Sequence, residues 1–155
     1  MSSLNSKVAV SYEGIDQETL GSYDLENWLG LIEDEIRSVE GAVCSVSLKF
    51  LGKEEMRTMN KKFRNKDCPT NVLAFPMNTS LVLETNCLGD LAICPEVVLE
   101  EAEEQGKEAA NHMAHIFIHG VLHLLGYDHY QEDHTDTMEN LERKILSKIG
   151  VADPY

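Results

Sequence analysis

The chain has 155 residues, of which 43% are hydrophobic and 26% are charged, and this balance supports a single globular domain over residues 1–155. No apolar run approaches the roughly 20 residues that cross a bilayer, and the first residues lack a secretory leader, so we expect a cytoplasmic protein without a membrane anchor. The formal net charge of −14 argues against a protein whose whole surface binds nucleic acid.

The first part of the chain is predicted to alternate strands with a helix. Residues 7–11 and 43–50 alternate polar and apolar side chains, which is the pattern of a half-buried strand. Between them, residues 26–39 repeat apolar side chains at helical spacing, and Gly41 ends that run. We therefore expect two strands separated by one helix.

The next segment, residues 53–63, is predicted to be a short helix with a basic face. Positions 57–66 contain no acid and carry five basic side chains, Arg57, Lys61, Lys62, Arg64 and Lys66. Acidic residues gather elsewhere, within residues 96–108 and 132–142. This segregation gives the molecule a basic side suited to nucleic acid, although ordinary charge clustering on a solvated helix face explains the same pattern.

The rest of the chain changes from strand to helix. Turn-forming residues 68–71 precede a short apolar strand at 72–75, and residues 77–86 form a polar loop before a strand at 88–94. From Pro95 onward the pattern is helical, with helices predicted at 96–105, 108–125 and 133–148. Strands followed by helices predict an α+β fold, with a small mixed β-sheet packed against several α-helices.

Four cysteines are scattered along the chain without a C-x-x-C pair, so the sequence indicates neither a zinc knuckle nor a redox dithiol. Cys44 and Cys94 lie in apolar runs and are predicted core residues. Cys68 lies in a polar loop and is expected at the surface.

Residues 119–129 space three histidines as H-x-x-x-H-x-x-G-x-x-H. In a helix, His119 and His123 lie one turn apart on the same face, close enough for both rings to hold one ion. Gly126 can take the left-handed conformation that ends a helix, so the chain can turn back and bring His129 to the same ion. Three imidazoles with a fourth position open describe a catalytic zinc site at a helix C-terminus and the loop after it. We therefore predict one zinc ion per chain, although these ligands also suit nickel, copper or iron(II).

This spacing matches the zinc-protease pattern H-E-x-x-H-x-x-G-x-x-H except at one position. The protease pattern has its glutamate base where this chain has Gly120, so the metal geometry is retained and peptide hydrolysis by that route is disfavoured. His115 extends the same helical stripe and either supports a ligand or packs beside the site. Asp128 either fixes a ligand imidazole or shapes the turn.

Two separated stretches carry a family resemblance. Residues 119–129 read H-G-V-L-H-L-L-G-Y-D-H, and residues 60–76 read N-K-K-F-R-N-K-D-C-P-T-N-V-L-A-F-P. Together they resemble the YbeY family of zinc-dependent endoribonucleases, also called rRNA maturation factors, and the resemblance extends from about residue 43 onward. Two positions depart from the family pattern, because Asn71 stands where the family usually has aspartate and Ala74 where it usually has serine.

The resemblance implies a metal-dependent endoribonuclease that cuts single-stranded RNA, matures the 3′ ends of ribosomal RNA and takes part in ribosome quality control. By motif position, it implies His119, His123 and His129 as zinc ligands and Arg64 as the catalytic arginine of the cleft. The implied partners are ribosomal RNA and the small ribosomal subunit. The planar donor fork of Arg64 suits a phosphate and the charge that develops on it, and a plain surface position or an ion pair is the alternative reading.

Two other functions share parts of this pattern. Another zinc metallohydrolase, acting on an amide or a small phosphoester, would use the same ligands but has no need of a basic helix. A non-catalytic ribosome-assembly factor would use the metal only to stabilise its fold. The attacking group, whether water or the RNA 2′-hydroxyl, is open at this stage, as are the native RNA target and the oligomeric state.

Overall fold

The structure, a computed structural model, describes residues 7–36, 45–76, 87–127 and 132–155. The strands in these residues are β1 (Lys7–Glu13), β2 (Ser45–Leu51), β3 (Val72–Pro76) and β4 (Cys87–Ile93). The helices are α1 (Gln17–Leu20), α2 (Leu25–Glu35), α3 (Lys53–Arg64), α4 (Pro95–Gln105), α5 (Ala109–Leu124) and α6 (Glu132–Ser147). None of these helices has the length and apolar character needed to cross a membrane.

The four strands form one mixed sheet in the order β1-β2-β4-β3. The pairs β1–β2 and β2–β4 are parallel, and β3 runs antiparallel to β4 with Val72 opposite Ile93. The two central strands, β2 and β4, are therefore distant in sequence, and α3 and β3 lie between them in the chain. The predicted α+β class with a small mixed sheet is confirmed.

One face of the sheet builds the main core, because side chains alternate between the two faces of a strand. Along β2, Val46, Leu48 and Phe50 are buried, whereas the residues that alternate with them from Ser45 to Lys49 are only half-buried. Side chains of α2, α5 and α6 pack on this face, and α5 contributes Phe117 and Leu122 with no exposed surface. The buried side of α5 fixes how that helix is rotated about its axis.

The opposite face of the sheet is covered at one end by α3. Leu51, Met56, Leu73, Ala92 and Cys94 form a second, smaller apolar cluster there. The predictions that Cys94 is buried and that Cys68 is exposed are both confirmed, and Cys44 lies outside the described residues. Helix α3 is thus anchored to the sheet through its apolar side, and its basic side faces away.

Most predicted elements agree with the structure to within a residue or two. The helix predicted at residues 26–39 is wrong at its C-terminal end, because α2 ends at Glu35 and Ile36 already has non-helical dihedral angles. The predicted residues 37–39 and the polar loop at 77–86 lie outside the described residues. Helix α1 was not predicted, because one turn is too short to show a period.

Candidate metal centre and cleft

Helix α5 carries His115, His119 and His123 at four-residue intervals, so the three imidazoles lie along one side of the helix. The other side of α5 is packed into the core, and this packing turns the three histidines towards a cavity that all of them line. The imidazoles of His119 and His123 meet through their Nε2 atoms, which are 3.1 Å apart, with ring planes at 79°.

This separation fits a metal ion. Two nitrogen ligands of a tetrahedral zinc site with Zn–N bonds of about 2.0–2.1 Å lie about 3.3 Å from each other. The Nε2 atoms of His119 and His123 therefore have nearly the spacing that two ligands of one ion require. His129, the third predicted ligand, lies outside the described residues, and its role stays a prediction.

A carboxylate from α6 holds the histidines in place. Glu142 has no exposed surface, and its Oε1 lies 2.7 Å from Nδ1 of His119, while its Oε2 lies 2.9 Å from Nε2 of His115. The hydroxyl of Tyr155 donates a further hydrogen bond to Oε2 of Glu142. Because an ionised carboxylate only accepts hydrogen bonds, Nδ1 of His119 carries the proton, and its Nε2 presents a lone pair towards His123.

The charge on Glu142 is maintained by these partners. Burial alone would raise the pKa of Glu142, but hydrogen bonds from His115, His119 and the Tyr155 hydroxyl lower that pKa to about 2. Burial and the bond to Glu142 raise the pKa of Tyr155, so its phenol keeps the proton that it donates. At neutral pH the cluster therefore contains a buried anion that accepts hydrogen bonds from three side chains.

The same cluster offers a second set of metal donors. One ligand atom each from His115, His119 and Glu142 lies within 4.8 Å of the others. A metal ion in that set would replace the hydrogen bonds of Glu142, whereas an ion held by the Nε2 atoms of His119 and His123 leaves them intact. The described residues thus contain a His–Glu group that could hold a divalent metal ion.

Arg64 lies on the same cavity as the histidines, although the two are far apart in the sequence. The cavity has a volume of about 990 Å³, and its wall includes Arg64 from the end of α3, residues of β3, and His115, His119 and His123 from α5. The described carboxylates form no salt bridge with Arg64. The packing of α5 beside β3 brings these parts of the chain together.

Three contacts fix the turn that follows Arg64. Asn65 ends α3 in the left-handed conformation, with φ of 59°. The buried Asn60 donates to the carbonyl of Cys68 at 2.7 Å, and Arg57 forms two hydrogen bonds with Asp67, of 2.8 and 3.2 Å. These contacts orient the end of α3 towards the cavity. They also pair Arg57 with a carboxylate, so four of the five predicted basic side chains remain without a salt bridge to a described residue.

Gly120 lies where α5 passes close to the sheet. A Cβ atom at this position would lie 2.9 Å from a methyl carbon of Leu91 and 3.2 Å from one of Val72. A larger side chain therefore has no room between α5 and strands β3 and β4. The structure gives a packing reason for glycine at the position where the protease pattern has its base.

A second polar cluster lies on the same cavity around Glu101 of α4. Asn71 donates from its side-chain amide to both Glu101 oxygens, at 3.1 and 3.3 Å, and Nε2 of His112 lies 2.9 Å from Oε1. An aspartate at position 71 could not donate these hydrogen bonds and would face Glu101 with a like charge. The asparagine that departs from the family pattern is therefore matched to Glu101 in this chain.

Sequence reasoning missed Glu142, Tyr155 and Glu101. The sequence does contain a signal for Glu142, because it lies between Met138 and Ile145 on the apolar face of a predicted helix. An acid on such a face is either buried with a polar partner or interrupts the apolar face. The sequence contains no such signal for Tyr155 or Glu101, because their contacts join segments that only the tertiary fold brings together. Asp128, which was considered as a partner of a ligand imidazole, lies outside the described residues.

Comparison with known proteins identifies one family. The family model described as endoribonuclease YbeY matches residues 11–150. An endoribonuclease YbeY from Idiomarina loihiensis is 45% identical over 131 residues, which cover 84% of this chain and 80% of that protein. Another from Ruthia magnifica is 40% identical over 141 residues, or 91% of this chain and 95% of that protein.

The fold is also similar to a solved structure. The solution structure of the protein TM1509 from Thermotoga maritima matches with a TM-score of 0.57 and 25% identity, over 90% of this chain and 91% of that one. The sequence matches span nearly the whole described fold, including α3, β3 and α5, which form the wall of the cavity. The chain belongs to the endoribonuclease YbeY family.

Proposed function

We propose that this protein is a zinc-dependent endoribonuclease that cuts single-stranded RNA, with one zinc ion per chain held by His119, His123 and His129. The observation that carries the proposal is the pair of Nε2 atoms 3.1 Å apart, on a cavity that also holds Arg64, in a chain of this family. The biological role that follows is maturation of ribosomal RNA 3′ ends and ribosome quality control in the cytoplasm, with the small ribosomal subunit as partner.

The ligand set of His119 and His123 is favoured over the set that includes Glu142. With the Nε2 atoms as ligands, Glu142 stays hydrogen-bonded to His115, His119 and Tyr155, and it orients His119 as carboxylates commonly orient metal-binding histidines. A metal bound by Glu142 and these imidazoles would move the ring protons to the opposite nitrogens, and Nδ1 of His115 is buried without a hydrogen-bond partner among the described residues. Glu142 is therefore a positioning residue in this proposal.

Zinc held by these histidines would supply Lewis acidity, which can activate a hydroxyl or a water at neutral pH without a carboxylate base. Arg64 contributes the complementary task on the cavity wall. Its guanidinium can donate two parallel hydrogen bonds to phosphate oxygens and stabilise the charge that develops on them. Its lack of a salt bridge to a described carboxylate leaves those donors available.

The shape and charge of the site favour a single strand. The histidines and Arg64 line a concave cavity, and a flexible single strand can place a phosphate inside it more readily than a stiff duplex can. Lys61, Lys62 and Lys66 lie exposed beside Arg64 and add a sequence-independent attraction for the backbone. An enzyme acting on amides would have no use for this basic rim.

The test is metal analysis of the purified protein together with cleavage of a short single-stranded RNA. We expect one zinc ion per chain, and we expect His119→Ala and His123→Ala to lose most of the metal and the cleavage activity. His112→Gln is the matched control, because His112 lies on α5 and on the same cavity but bonds to Glu101. It should keep its zinc.

Three results would reject the proposal. Unchanged zinc content in either alanine variant would remove that histidine from the ligand set. Hydrolysis of amides or small phosphoesters, with no cleavage of RNA, would assign the chain to another class of metallohydrolase. A metal-stripped protein that keeps its fold and its binding to the small subunit, together with an inactive metal-replete protein, would indicate a non-catalytic assembly factor.

A further inference from the structure

Phe63 is an exposed aromatic residue at the basic end of α3. Its side chain is 55% exposed, and it immediately precedes Arg64 at the end of α3. One edge of its ring packs against Phe75 of β3, with ring centroids 5.0 Å apart and ring planes at 65°. Nζ of Lys62 lies 5.3 Å from the centroid of the Phe63 ring. The Phe63–Phe75 pair is therefore fixed in place while much of the Phe63 ring remains open.

The two rings border two cavities at once. Phe63 and Phe75 line the cavity of Arg64 and the histidines, and they also line a second cavity of about 370 Å³. The second cavity lies over the polar face of the sheet, which carries Ser47 and Lys49 of β2 and Asp90 of β4. The aromatic pair is thus the wall that the two cavities share.

The second cavity follows from the alternation of side chains in the sheet. Val46, Leu48 and Phe50 of β2 point into the main core, so Ser47 and Lys49 point to the other face. Helix α3 covers one end of that face, where its Met56 and Met59 pack with Leu51. The remaining part carries hydrogen-bonding groups, and Ser47 lies directly opposite Asp90 in the strand register.

We propose that Phe63, supported by Phe75, stacks on one unpaired base of the RNA substrate and that the second cavity receives this nucleotide. The inference rests on the proposed function. Because Phe63 and Arg64 are consecutive, the stacked base belongs to a nucleotide next to the phosphate held by Arg64. Ser47, Lys49 and Asp90 then face the polar edge of that base.

The chemistry of this surface favours an RNA strand over a protein partner. An aromatic ring among basic side chains is the combination with which proteins bind single-stranded nucleic acid, since the ring stacks on a base while the cations follow the phosphates. Lys61, Lys62, Arg64 and Lys66 supply those cations around Phe63. A duplex has its bases stacked on each other, so this subsite also accounts for a preference for single strands.

The experiment is a double-mutant cycle between the protein and the RNA, measured by single-turnover cleavage with the zinc-loaded enzyme. The substrates are one short single-stranded RNA and a series in which one base at a time is removed to leave an abasic sugar. With the wild-type enzyme, one abasic position beside the cleaved bond should raise the half-saturating enzyme concentration by about 5- to 150-fold, the range for one base–aromatic stack. The maximal rate should change less.

The protein variant is Phe63→Leu, which keeps an apolar contact with Phe75 and removes the aromatic face. It should bind the intact RNA as weakly as the wild type binds the critical abasic RNA, and it should not distinguish the two substrates. Phe63→Tyr should restore the preference for the intact base. Leu99→Ala, which changes an exposed apolar residue on α4 outside both cavities, should behave as wild type.

The outcomes separate this inference from the proposed function. If the wild-type enzyme cleaves RNA but Phe63→Leu retains full sensitivity to every abasic position, the stacking role is wrong and the nuclease function stands. If Phe63→Leu cleaves normally but no longer binds a protein partner, the surface is a protein-docking site instead. If the zinc-loaded wild type neither binds nor cleaves single-stranded RNA, both the function and the subsite are wrong.

Discussion

In the proposed mechanism, Arg64 and the histidines on the same cavity have separable tasks. The guanidinium cannot serve as a metal ligand, and the contacts of Asn60 with Cys68 and of Arg57 with Asp67 hold the end of α3 without it. Removing the Arg64 side chain should therefore leave the fold and the metal unchanged. A lower maximal rate in such a variant would therefore report on the chemical step and not on the metal.

We expect Arg64→Ala to keep its zinc and to slow single-turnover cleavage of a single-stranded RNA by about 10²–10³-fold, the range for removal of one preorganised donor. Arg64→Lys should recover little, because an ammonium group lacks the two-pronged geometry. Lys62→Ala removes the same charge from the same helix outside the cavity, so it should weaken RNA binding without a comparable loss of maximal rate. A wild-type maximal rate in Arg64→Ala would exclude Arg64 from the mechanism.

Glu142 makes the stability of the fold depend on pH in the acid range. Its pKa is lowered to about 2 in the folded protein, below its usual value of 4.5, so the stabilising contribution of its charge is present above about pH 4.5 and is lost as the pH falls towards 2. The difference in unfolding free energy between wild type and Glu142→Gln can be measured by urea denaturation of metal-free protein. We expect this difference to shrink as the pH falls from about 4.5 towards 2. Tyr155→Phe, which keeps the charge, should retain most of the wild-type pH dependence. A difference that is constant from neutral pH to pH 3 would contradict a lowered pKa.

At the scale of single residues, the sequence predicts contacts within a helix better than contacts between helices. The approach of His119 and His123 follows from the helical period, and the structure brings their Nε2 atoms together. Glu142 could not be assigned to them in advance, because its position depends on how α6 packs against α5. The placement of Arg64 on the same cavity was expected only from the family resemblance.

At the scale of elements, the C-terminus of α5 has the predicted glycine ending. Gly126 has φ of 99°, its N–H bonds to the carbonyl of His123, and the N–H of Tyr127 bonds to the carbonyl of Leu122. These two hydrogen bonds define a Schellman motif. Helix α4 ends in the same way at Gly106, with bonds from Gly106 to Glu103 and from Lys107 to Ala102. Within the described residues a third ending of this kind follows α6 at Gly150. Of the three, only the ending at Gly126 leads to a predicted metal ligand.

The helix endings at Gly126 and Gly106 give a controlled test of the turn that follows α5. Gly126→Ala and Gly106→Ala should each lower the unfolding free energy of metal-free protein by about 1–2 kcal/mol, because both force a side chain into the left-handed region. Only Gly126→Ala should also weaken zinc binding, since only that turn directs the segment containing His129. Equal zinc affinities in the two variants, measured by competition with a chelator, would argue against His129 as a ligand.

At the scale of the whole molecule, charge is segregated. The chain has a net charge of −14, yet the end of α3 presents Lys61, Lys62, Arg64 and Lys66 around the proposed cleft. Acidic side chains are concentrated on α4, whose Glu100 already pairs with Lys53. When such a protein approaches a polyanion, its basic surface is attracted and the acidic remainder is repelled, so the protein binds with the basic surface facing the polyanion.

We expect the affinity for single-stranded RNA to fall steeply with salt. Lys61→Gln should reduce the slope of log affinity against log salt concentration by about 0.7, the value for one phosphate contact on a single strand. Lys144→Gln, on α6, makes the same change in net charge and should leave the slope unaltered. An affinity that stays flat between low and physiological salt would show that the basic end of α3 is not the contact surface.

The overall architecture was predictable in class but not in topology. Alternating or short apolar runs locate the strands, and helical patterns locate the described helices longer than one turn. The order of these elements indicates an α+β fold with a mixed sheet. The strand order β1-β2-β4-β3 is not contained in those patterns, because pairing depends on contacts distant in sequence, such as Ser47 with Asp90. The second cavity depends on that pairing, so it could not be inferred from the sequence.

The bond between Glu142 and His119 makes α6 a remote reporter of the metal centre. Helix α6 supplies none of the proposed ligands, yet a local opening that frees it must also break the contacts of Glu142 with α5. Zinc at one hundred times its dissociation constant should disfavour that opening by up to about 2.7 kcal/mol, the limit for an opened state that no longer binds zinc, and should slow amide hydrogen exchange in α6 by up to about 100-fold. Exchange in α4 is the internal reference, and Glu142→Gln should uncouple α6 from zinc. Hydrogen exchange in the backbone of α6 would then show whether zinc is bound to the enzyme.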